Sequence, residues 1–135
     1  MSRKSFLFFD VFKLIILYLI FTIDLCHGNL NLYLNQQEVK RLLGLSAELY
    51  YVRDGVINEY ALNFVVPVPA SLGSLHFTWQ SLAGRQLPYT ISILVSNPEA
   101  LAPPQLNISD HGTIPTTIQT FGIELPCTGM VNAEV

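Results

Sequence analysis

The chain has 135 residues, enough for one domain, and half of them are apolar while only 13% are charged. Its formal net charge of −3 and the lack of a long basic run argue against nucleic acid or an anionic membrane surface as a partner. Residues 1–28 contribute much of the apolar excess, and the remainder has the composition of a globular domain.

The N-terminal segment has the pattern of a secretory signal peptide. Arg3 and Lys4 precede an apolar run that is cleanest from Leu14 to Ile23, and small residues follow it. This run is about half of the roughly 20 residues that a membrane span needs, and three charged residues of the segment fit lipid poorly. The alternatives are an uncleaved signal anchor and a buried helix. We expect a signal peptide over residues 1–28 and a single domain over residues 29–135.

The two cysteines bear on the compartment and on the extent of the domain. Cleavage after Gly28 would remove Cys26 and leave Cys127 as the only cysteine in an oxidising compartment. An odd cysteine there is a free thiol, an intermolecular link, or one half of a bridge whose other half lies beyond Val135. We favour the third interpretation, in which the chain is truncated.

The first predicted elements of the domain are a short strand and a short helix. Leu30, Leu32 and Leu34 recur at every second position, which is typical of a half-buried strand. Asn35 is a suitable N-cap and Gly44 a suitable left-handed stop, so we expect a helix of about two turns between them. A helix this short must dock on the sheet to be stable.

A β-hairpin is predicted next. Glu48–Arg53 and Val56–Val66 are rich in β-forming residues and flank the turn dipeptide Asp54-Gly55. Tyr50 and Tyr51 are neighbours and would point to opposite faces of a regular strand. One ring therefore lies at the surface, or a bulge intervenes.

The rest of the chain predicts further short strands. In Leu75–Ser81 the alternation puts Phe77 and Trp79 on one buried face, and Tyr89–Val95 repeats the pattern. The remaining expected elements are an edge strand at Leu106–Ser109, a turn at Asp110–Gly112, a strand at Thr116–Leu125 and the opening of another strand at residues 131–135. Six or seven short strands with one small helix favour a β-sandwich.

No arrangement typical of a catalyst is present in the sequence. His76 and His111 have no cysteine or carboxylate at metal-ligand spacing, no serine lies in a nucleophile elbow, and Cys127 has no local base. The glycine patterns that hold phosphate are absent as well. The sequence therefore predicts neither an enzyme nor a bound metal or cofactor.

Aromatic and arginine side chains are the candidate contacts of a binding protein. Tyr50 and Tyr51 are the leading candidates because neighbouring tyrosines of a strand cannot both face inward. Arg53 lies at the turn and can pair with an acidic group, and Trp79, expected mainly in the core, is a further candidate. Asn107 begins the sequon Asn-Ile-Ser, which would carry a glycan on a solvent-facing edge in a secreted protein.

Four blocks of the sequence resemble a known family. They are Leu49–Phe64, the Val-Pro-Val-Pro run at residues 66–69, Leu75–Arg85 with its Phe-Thr-Trp-Gln core, and Leu125–Gly129 with Pro-Cys-Thr-Gly. Together they are similar to the Wnt inhibitory factor (WIF) domain, and most similar to that of the Ryk receptors, including their insect Derailed and Doughnut group. The resemblance covers essentially all of residues 30–135.

The resemblance implies an all-β, immunoglobulin-like sandwich with one or two short helices that binds secreted, lipid-modified Wnt proteins. In the receptors this domain is extracellular and precedes one membrane span and an intracellular kinase-like domain of weak or absent activity, and the family functions in Wnt signalling and axon guidance. A Frizzled-type co-receptor is a further expected partner. The family domain continues past Val135 and carries a second cysteine that bridges to the position of Cys127, so the fold is expected to be incomplete at its C-terminus.

Two alternatives of other classes remain at this point. One is a secreted lipid-binding or Wnt-sequestering decoy domain that holds a lipid or acyl chain between its sheets. The other is the kinase of a longer chain, whose activity would then lie outside these residues.

Overall fold

The computed structural model describes residues 30–82, residue 84 and residues 86–129. The predicted signal peptide over residues 1–28 and the strand predicted to open at residue 131 lie outside the described residues. No helix in the described part is long and apolar enough to cross a membrane.

Short strands and two short helices make up the described chain. In chain order the elements are β1 (Leu30–Leu34), α1 (Gln36–Leu43), β2 (Leu49–Arg53), β3 (Val56–Ile57), α2 (Glu59–Leu62), β4 (Ser74–Ser81), β5 (Leu87–Thr90), β6 (Gln105–Leu106), β7 (His111–Ile114) and β8 (Gln119–Glu124).

The strands form two antiparallel sheets. The larger sheet has six strands in the order β3-β2-β1-β4-β8-β6, and the smaller sheet pairs β5 with β7. Neighbouring strands in both sheets run antiparallel. This arrangement confirms the predicted all-β sandwich with short helices.

Aromatic side chains join the two sheets. The alternation of β4 places Phe77 and Trp79 on its buried face, where they are 1% and 3% exposed. The ring of Phe121, from β8, lies 5.3 Å from that of Phe77 and 4.5 Å from that of Trp79, and Tyr89 of β5 meets Trp79 edge-on at 4.7 Å. Because β5 belongs to the smaller sheet, this aromatic cluster spans both layers of the core. The prediction that Phe77 and Trp79 lie on one buried face is confirmed.

A β-bulge in β2 determines how its two tyrosines are placed. Leu32 pairs with Val52 and Tyr33 pairs with Tyr50, so Tyr51 is the extra residue opposite the step from Leu32 to Tyr33. Tyr51 is buried in the core, whereas Tyr50 is half-buried and packs against Tyr33. Both alternatives of the prediction therefore hold, because a bulge is present and one ring reaches the surface.

The predicted helix near the N-terminus is confirmed together with its cap and its stop. Asn35 Oδ1 accepts a hydrogen bond from the Glu38 N–H (2.9 Å), and Gly44 ends the helix with φ at 72°. Asn35 Nδ2 also donates to Thr78 Oγ1 at 3.2 Å. This second bond ties the start of α1 to β4 of the larger sheet.

The strand predicted over Val56–Val66 is wrong beyond Ile57. Asn58 is the N-cap of the helix α2, and its Oδ1 accepts hydrogen bonds from the backbone N–H groups of Tyr60 and Ala61 at 3.2 and 3.4 Å. Such local bonds offer the backbone an alternative to a sheet ladder, and here they override the alternating pattern.

Two predictions near the smaller sheet are also wrong. The turn expected at Asp110–Gly112 runs into β7, which begins at His111, and the strand expected over Tyr89–Val95 ends at Thr90. A strand continues only as far as a partner accompanies it. Thr90 pairs with His111, the first residue of β7, so the ladder stops there.

The aromatic cluster yields a prediction for stability. We expect Phe121→Ala to lower the free energy of unfolding by about 3–5 kcal/mol, because it leaves a cavity between Phe77 and Trp79. Urea unfolding of the protein measures the change. Ile118→Ala is the control, since Ile118 is 63% exposed and should change stability by no more than about 0.5 kcal/mol. Equal effects of the two variants would contradict the prediction.

The burial of Tyr51 yields a prediction for alkaline pH. Desolvation raises the pKa of its phenol well above the ordinary value of 10.0. The folded state then retains a proton that the unfolded state releases, so this contribution to stability is complete below pH 10 and is lost as the pH rises toward the folded-state pKa. We expect Tyr51→Phe to flatten the fall in unfolding free energy above pH 10. Identical pH profiles of the variant and the wild type in urea titrations would contradict this.

Candidate ligand-binding surface

An open groove lies at the β3 edge of the six-stranded sheet. Its volume is about 570 Å³, and it is formed by the β2–β3 hairpin with the residues on either side. The lining residues combine apolar side chains with three charged ones: Glu48, Leu49, Tyr50, Arg53, Asp54, Val56, Ile57 and Asn58. We call this the hairpin groove.

Tyr50 is the aromatic centre of the hairpin groove. Its ring stacks on Tyr33, its cross-strand partner, with centroids 4.4 Å apart and planes 19° apart. The guanidinium carbon of Arg53 lies 4.9 Å from the centroid of the same ring, within range of a cation–π interaction. The Tyr50 ring and the Arg53 charge are thus held in place before any ligand arrives.

The hairpin turn is fixed to the neighbouring strand. Asp54 and Gly55 have φ values of 52° and 78°, as a type I′ turn requires. The Asp54 N–H donates to Asn31 Oδ1 (2.8 Å) and the Gly55 N–H to the Leu30 carbonyl (3.0 Å). These bonds anchor the turn to β1, so the end of the groove stands on a supported element.

Asn58 closes the other end of the groove. Its Nδ2 donates to the Tyr50 carbonyl at 3.0 Å while its Oδ1 caps α2. One side chain therefore connects β2 with the helix that follows β3. Next to it in the chain, α2 presents Tyr60 almost fully to solvent, at 91% exposure.

The electrostatics at the groove involve two tyrosine phenols and three charged side chains. Desolvation by burial raises the pKa of the Tyr33 and Tyr50 phenols, with the negative charge of Glu48 adding to the effect. Both phenols are therefore neutral hydrogen-bonding groups near pH 7. The formal charges that line the groove belong to Glu48, Asp54 and Arg53.

The structure brings together two of the four predicted contact residues. Tyr50 and Arg53 meet in the hairpin groove. Tyr51 and Trp79, at 1% and 3% exposure, are buried in the core and present no surface to a ligand in this structure. The bulge at Tyr51 explains its position, and the alternation of β4 explains that of Trp79.

Tyr33, which supports the groove from β1, and Val56, which lines it, were not predicted as contacts. Tyr33 is buried on its own strand, and only the long-range pairing of β1 with β2 places it beneath Tyr50. Val56 was predicted as part of a long strand, yet it lies on a two-residue edge strand and is 70% exposed. The sequence signal that could have indicated it is its position directly after the Asp-Gly turn.

Asn107 and Cys127 lie away from the groove. Asn107 follows β6, the strand at the opposite edge of the six-stranded sheet, and its side chain is exposed while its Oδ1 accepts from the Gly122 N–H at 2.8 Å. Cys127 is exposed and is a free thiol among the described residues. Its backbone forms an isolated antiparallel β-bridge with that of Leu101. The edge strands β3 and β6 are five strand spacings, or about 24 Å, apart.

The described residues contain no group of three or more His, Cys, Asp or Glu side chains that could hold a metal ion. The lining of the hairpin groove instead combines apolar side chains, the stacked ring of Tyr50 and three charged side chains. Such a surface can bind another molecule through packing and ion pairing.

Comparison with known proteins places the chain among receptors and Wnt-related proteins. The family model described as "WIF domain" matches residues 32–135. Tyrosine-protein kinase Dnt of Drosophila melanogaster is 60% identical over 108 residues, 80% of this chain and 18% of that protein. Tyrosine-protein kinase RYK of Homo sapiens is 47% identical over 107 residues, 79% of this chain and 17% of that protein. Wnt inhibitory factor 1 of Homo sapiens is 22% identical over 108 residues, 75% of this chain and 28% of that protein.

The chain spans less than a fifth of the length of the two kinases and less than a third of Wnt inhibitory factor 1. The family match is to a WIF domain, and the three relatives match over a similar length of 107 or 108 residues, so the segment is not a catalytic one. The chain belongs to the WIF domain family and is a Wnt-related, non-catalytic module of the kind found in Ryk-type receptors.

Proposed function

We propose that this chain is the extracellular module by which a Ryk-type receptor binds secreted, lipid-modified Wnt proteins, and that the hairpin groove is its contact surface. The family membership and the similarity to a protein named Wnt inhibitory factor 1 support this function. Signalling in axon guidance and cooperation with a Frizzled-type co-receptor are part of the same proposal for the whole receptor.

The observation that carries the choice of surface is the fixed pair of Tyr50 and Arg53. Tyrosine and arginine are enriched among the residues that dominate binding energy at interfaces. Tyr50 stacks on Tyr33 and Arg53 lies over Tyr50. Because these contacts restrain the two side chains in the free protein, binding would cost less side-chain conformational entropy than it would at unrestrained side chains.

The extracellular location rests on two further proposals. Residues 1–28 serve as a cleaved signal peptide, and Asn107 carries an N-linked glycan. A glycan on Asn107 Nδ2 would leave the Oδ1 free to keep its bond with the Gly122 N–H. The exposed thiol of Cys127 is likewise accessible for pairing with a second cysteine.

The alternative of a carrier that holds a lipid or acyl chain between its sheets receives no support from the described cavity. Phe121 packs against Phe77 and Trp79 in the core, and the hairpin groove lies at the sheet edge instead. We therefore propose Wnt binding through the edge surface and not the holding of a lipid between the sheets.

The proposed contact surface predicts the effect of Tyr50→Ala. We expect this variant of the complete extracellular region to bind Wnt with an affinity about 30-fold lower, since truncation of a central aromatic contact costs about 2 kcal/mol or more. Surface plasmon resonance with purified Wnt measures the change, and thermal unfolding checks that the variant is folded. Leu94→Ala is the control, because Leu94 is 59% exposed and lies outside the groove.

Two results would count against this assignment. If the wild-type region fails to bind any Wnt protein, the proposed function is wrong. If it binds and Tyr50→Ala has no larger effect than Leu94→Ala, the contact surface lies elsewhere.

The sequon yields a second prediction. We expect Asn107→Gln, expressed in secretory cells, to migrate faster than the wild type on gel electrophoresis by the mass of one glycan. Treatment with peptide N-glycosidase should shift the wild type to the mobility of the variant, provided that Asn107 is the only modified site of the segment. A wild type that does not shift would show that the sequon is unused. Ser109→Ala, which breaks the sequon but keeps Asn107, should match Asn107→Gln in mobility.

A further inference from the structure

The hairpin groove has a chemistry that narrows the kind of partner it fits. Leu49, Tyr50, Val56 and Ile57 supply an apolar surface, and the Val56 side chain is 70% exposed. An exposed apolar side chain on an edge strand is suited to packing against an apolar group of a partner. The groove volume of about 570 Å³ is large enough for a few side chains of a protein segment.

The charges of the groove favour a partner with a cationic side chain. Glu48 and Asp54 are exposed and line the groove, and the one cation there, Arg53, is held over the Tyr50 ring. The groove lining thus contains two carboxylates and one guanidinium. Exposed Glu59, the first residue of α2, adds negative charge close by in the chain.

The charge of the whole chain acts in the same direction. Beyond residue 28 the sequence carries eight acidic and four basic residues. Long-range attraction would therefore guide a basic surface toward this domain, and local pairing would then orient it.

Other acidic and edge positions are less suitable. Glu38 is buried and already paired with Arg41 and with His76, whose Nδ1 lies 3.4 Å from Glu38 Oε2. The opposite edge of the sheet carries the sequon at Asn107, where a glycan would cover the surface. Among the described residues, the hairpin groove combines two exposed carboxylates with the exposed side chain of Val56.

We propose that the hairpin groove receives a protein segment in which a lysine or arginine stands next to an apolar side chain. The apolar side chain packs on Val56 and Ile57, and the cation pairs with Glu48 and Asp54. This inference rests on the proposed function, because it names the chemistry of the partner at the same surface.

The test uses the complete extracellular region and two matched double variants. E48Q/D54N removes the groove carboxylates, and asparagine tolerates the positive φ at position 54. E99Q/E124Q removes the same charge from two exposed residues outside the groove. The two variants have the same net charge, so a difference between them reports on position and not on overall attraction.

The probe is a short peptide of alternating lysine and photoreactive leucine, compared with a peptide that has glutamate in place of lysine. Mass spectrometry maps the residues that are crosslinked. We expect the lysine peptide to crosslink within residues 48–58 of the wild type and of E99Q/E124Q, and about fivefold less in E48Q/D54N, because two exposed ion pairs are lost. Wnt affinity should fall in the same order.

Either of two results would overturn the inference: equal crosslinking of the lysine and glutamate peptides, or crosslinking that E48Q/D54N does not reduce. The Wnt arm separates this inference from the proposed function. If the lysine peptide maps to the groove while the wild type binds no Wnt, the function is wrong and the groove chemistry stands. If Wnt binds and neither readout responds to E48Q/D54N, the function stands and the inference is wrong.

Discussion

The β-bulge at Tyr51 is the constraint on which the rest of this surface depends. In a regular pairing of β1 with β2, every residue of β2 would have one partner and its two tyrosines would follow simple alternation. The extra residue lets Tyr51 and Val52 both be buried, while Tyr50 remains opposite Tyr33. The inserted residue, Tyr51, thus supplies a core side chain and leaves Tyr50 in position as the stacked ring of the groove.

The same strand links stability with binding. Tyr51 packs edge-on against Phe77, with centroids 6.5 Å apart, and so connects β2 to the aromatic cluster between the sheets. Its neighbour Tyr50 stands in the groove with Arg53 over its ring. A contact surface built on strands and supported by the core keeps its geometry better than one on free loops. A change that loosens the core would therefore reach the groove through β2.

The sequence predicted those features that depend on local chemistry or on clear alternation. The burial of Phe77 and Trp79 follows from period two, and the turn at Asp54-Gly55 follows from its need for positive φ. The residues after Ile57 were mispredicted because the side chain of Asn58 bonds the backbone N–H groups ahead of it. Family resemblance identified the domain, but the stack of Tyr50 on Tyr33 depends on strand pairing across 17 positions, which no local pattern contains.

The six-stranded sheet separates two kinds of surface at its two edges. At one edge, the two-residue strand β3 bears the groove with its carboxylates and exposed Val56. Such a short edge strand offers few backbone groups for unwanted pairing with other chains. At β6, the sequon at Asn107 follows the edge strand, and its side chain bonds the backbone of β8. A glycan there would shield the second edge. Because about 24 Å separates the edges, shielding one leaves the other accessible. This asymmetry favours side-chain recognition at the β3 edge over the addition of a strand to either one.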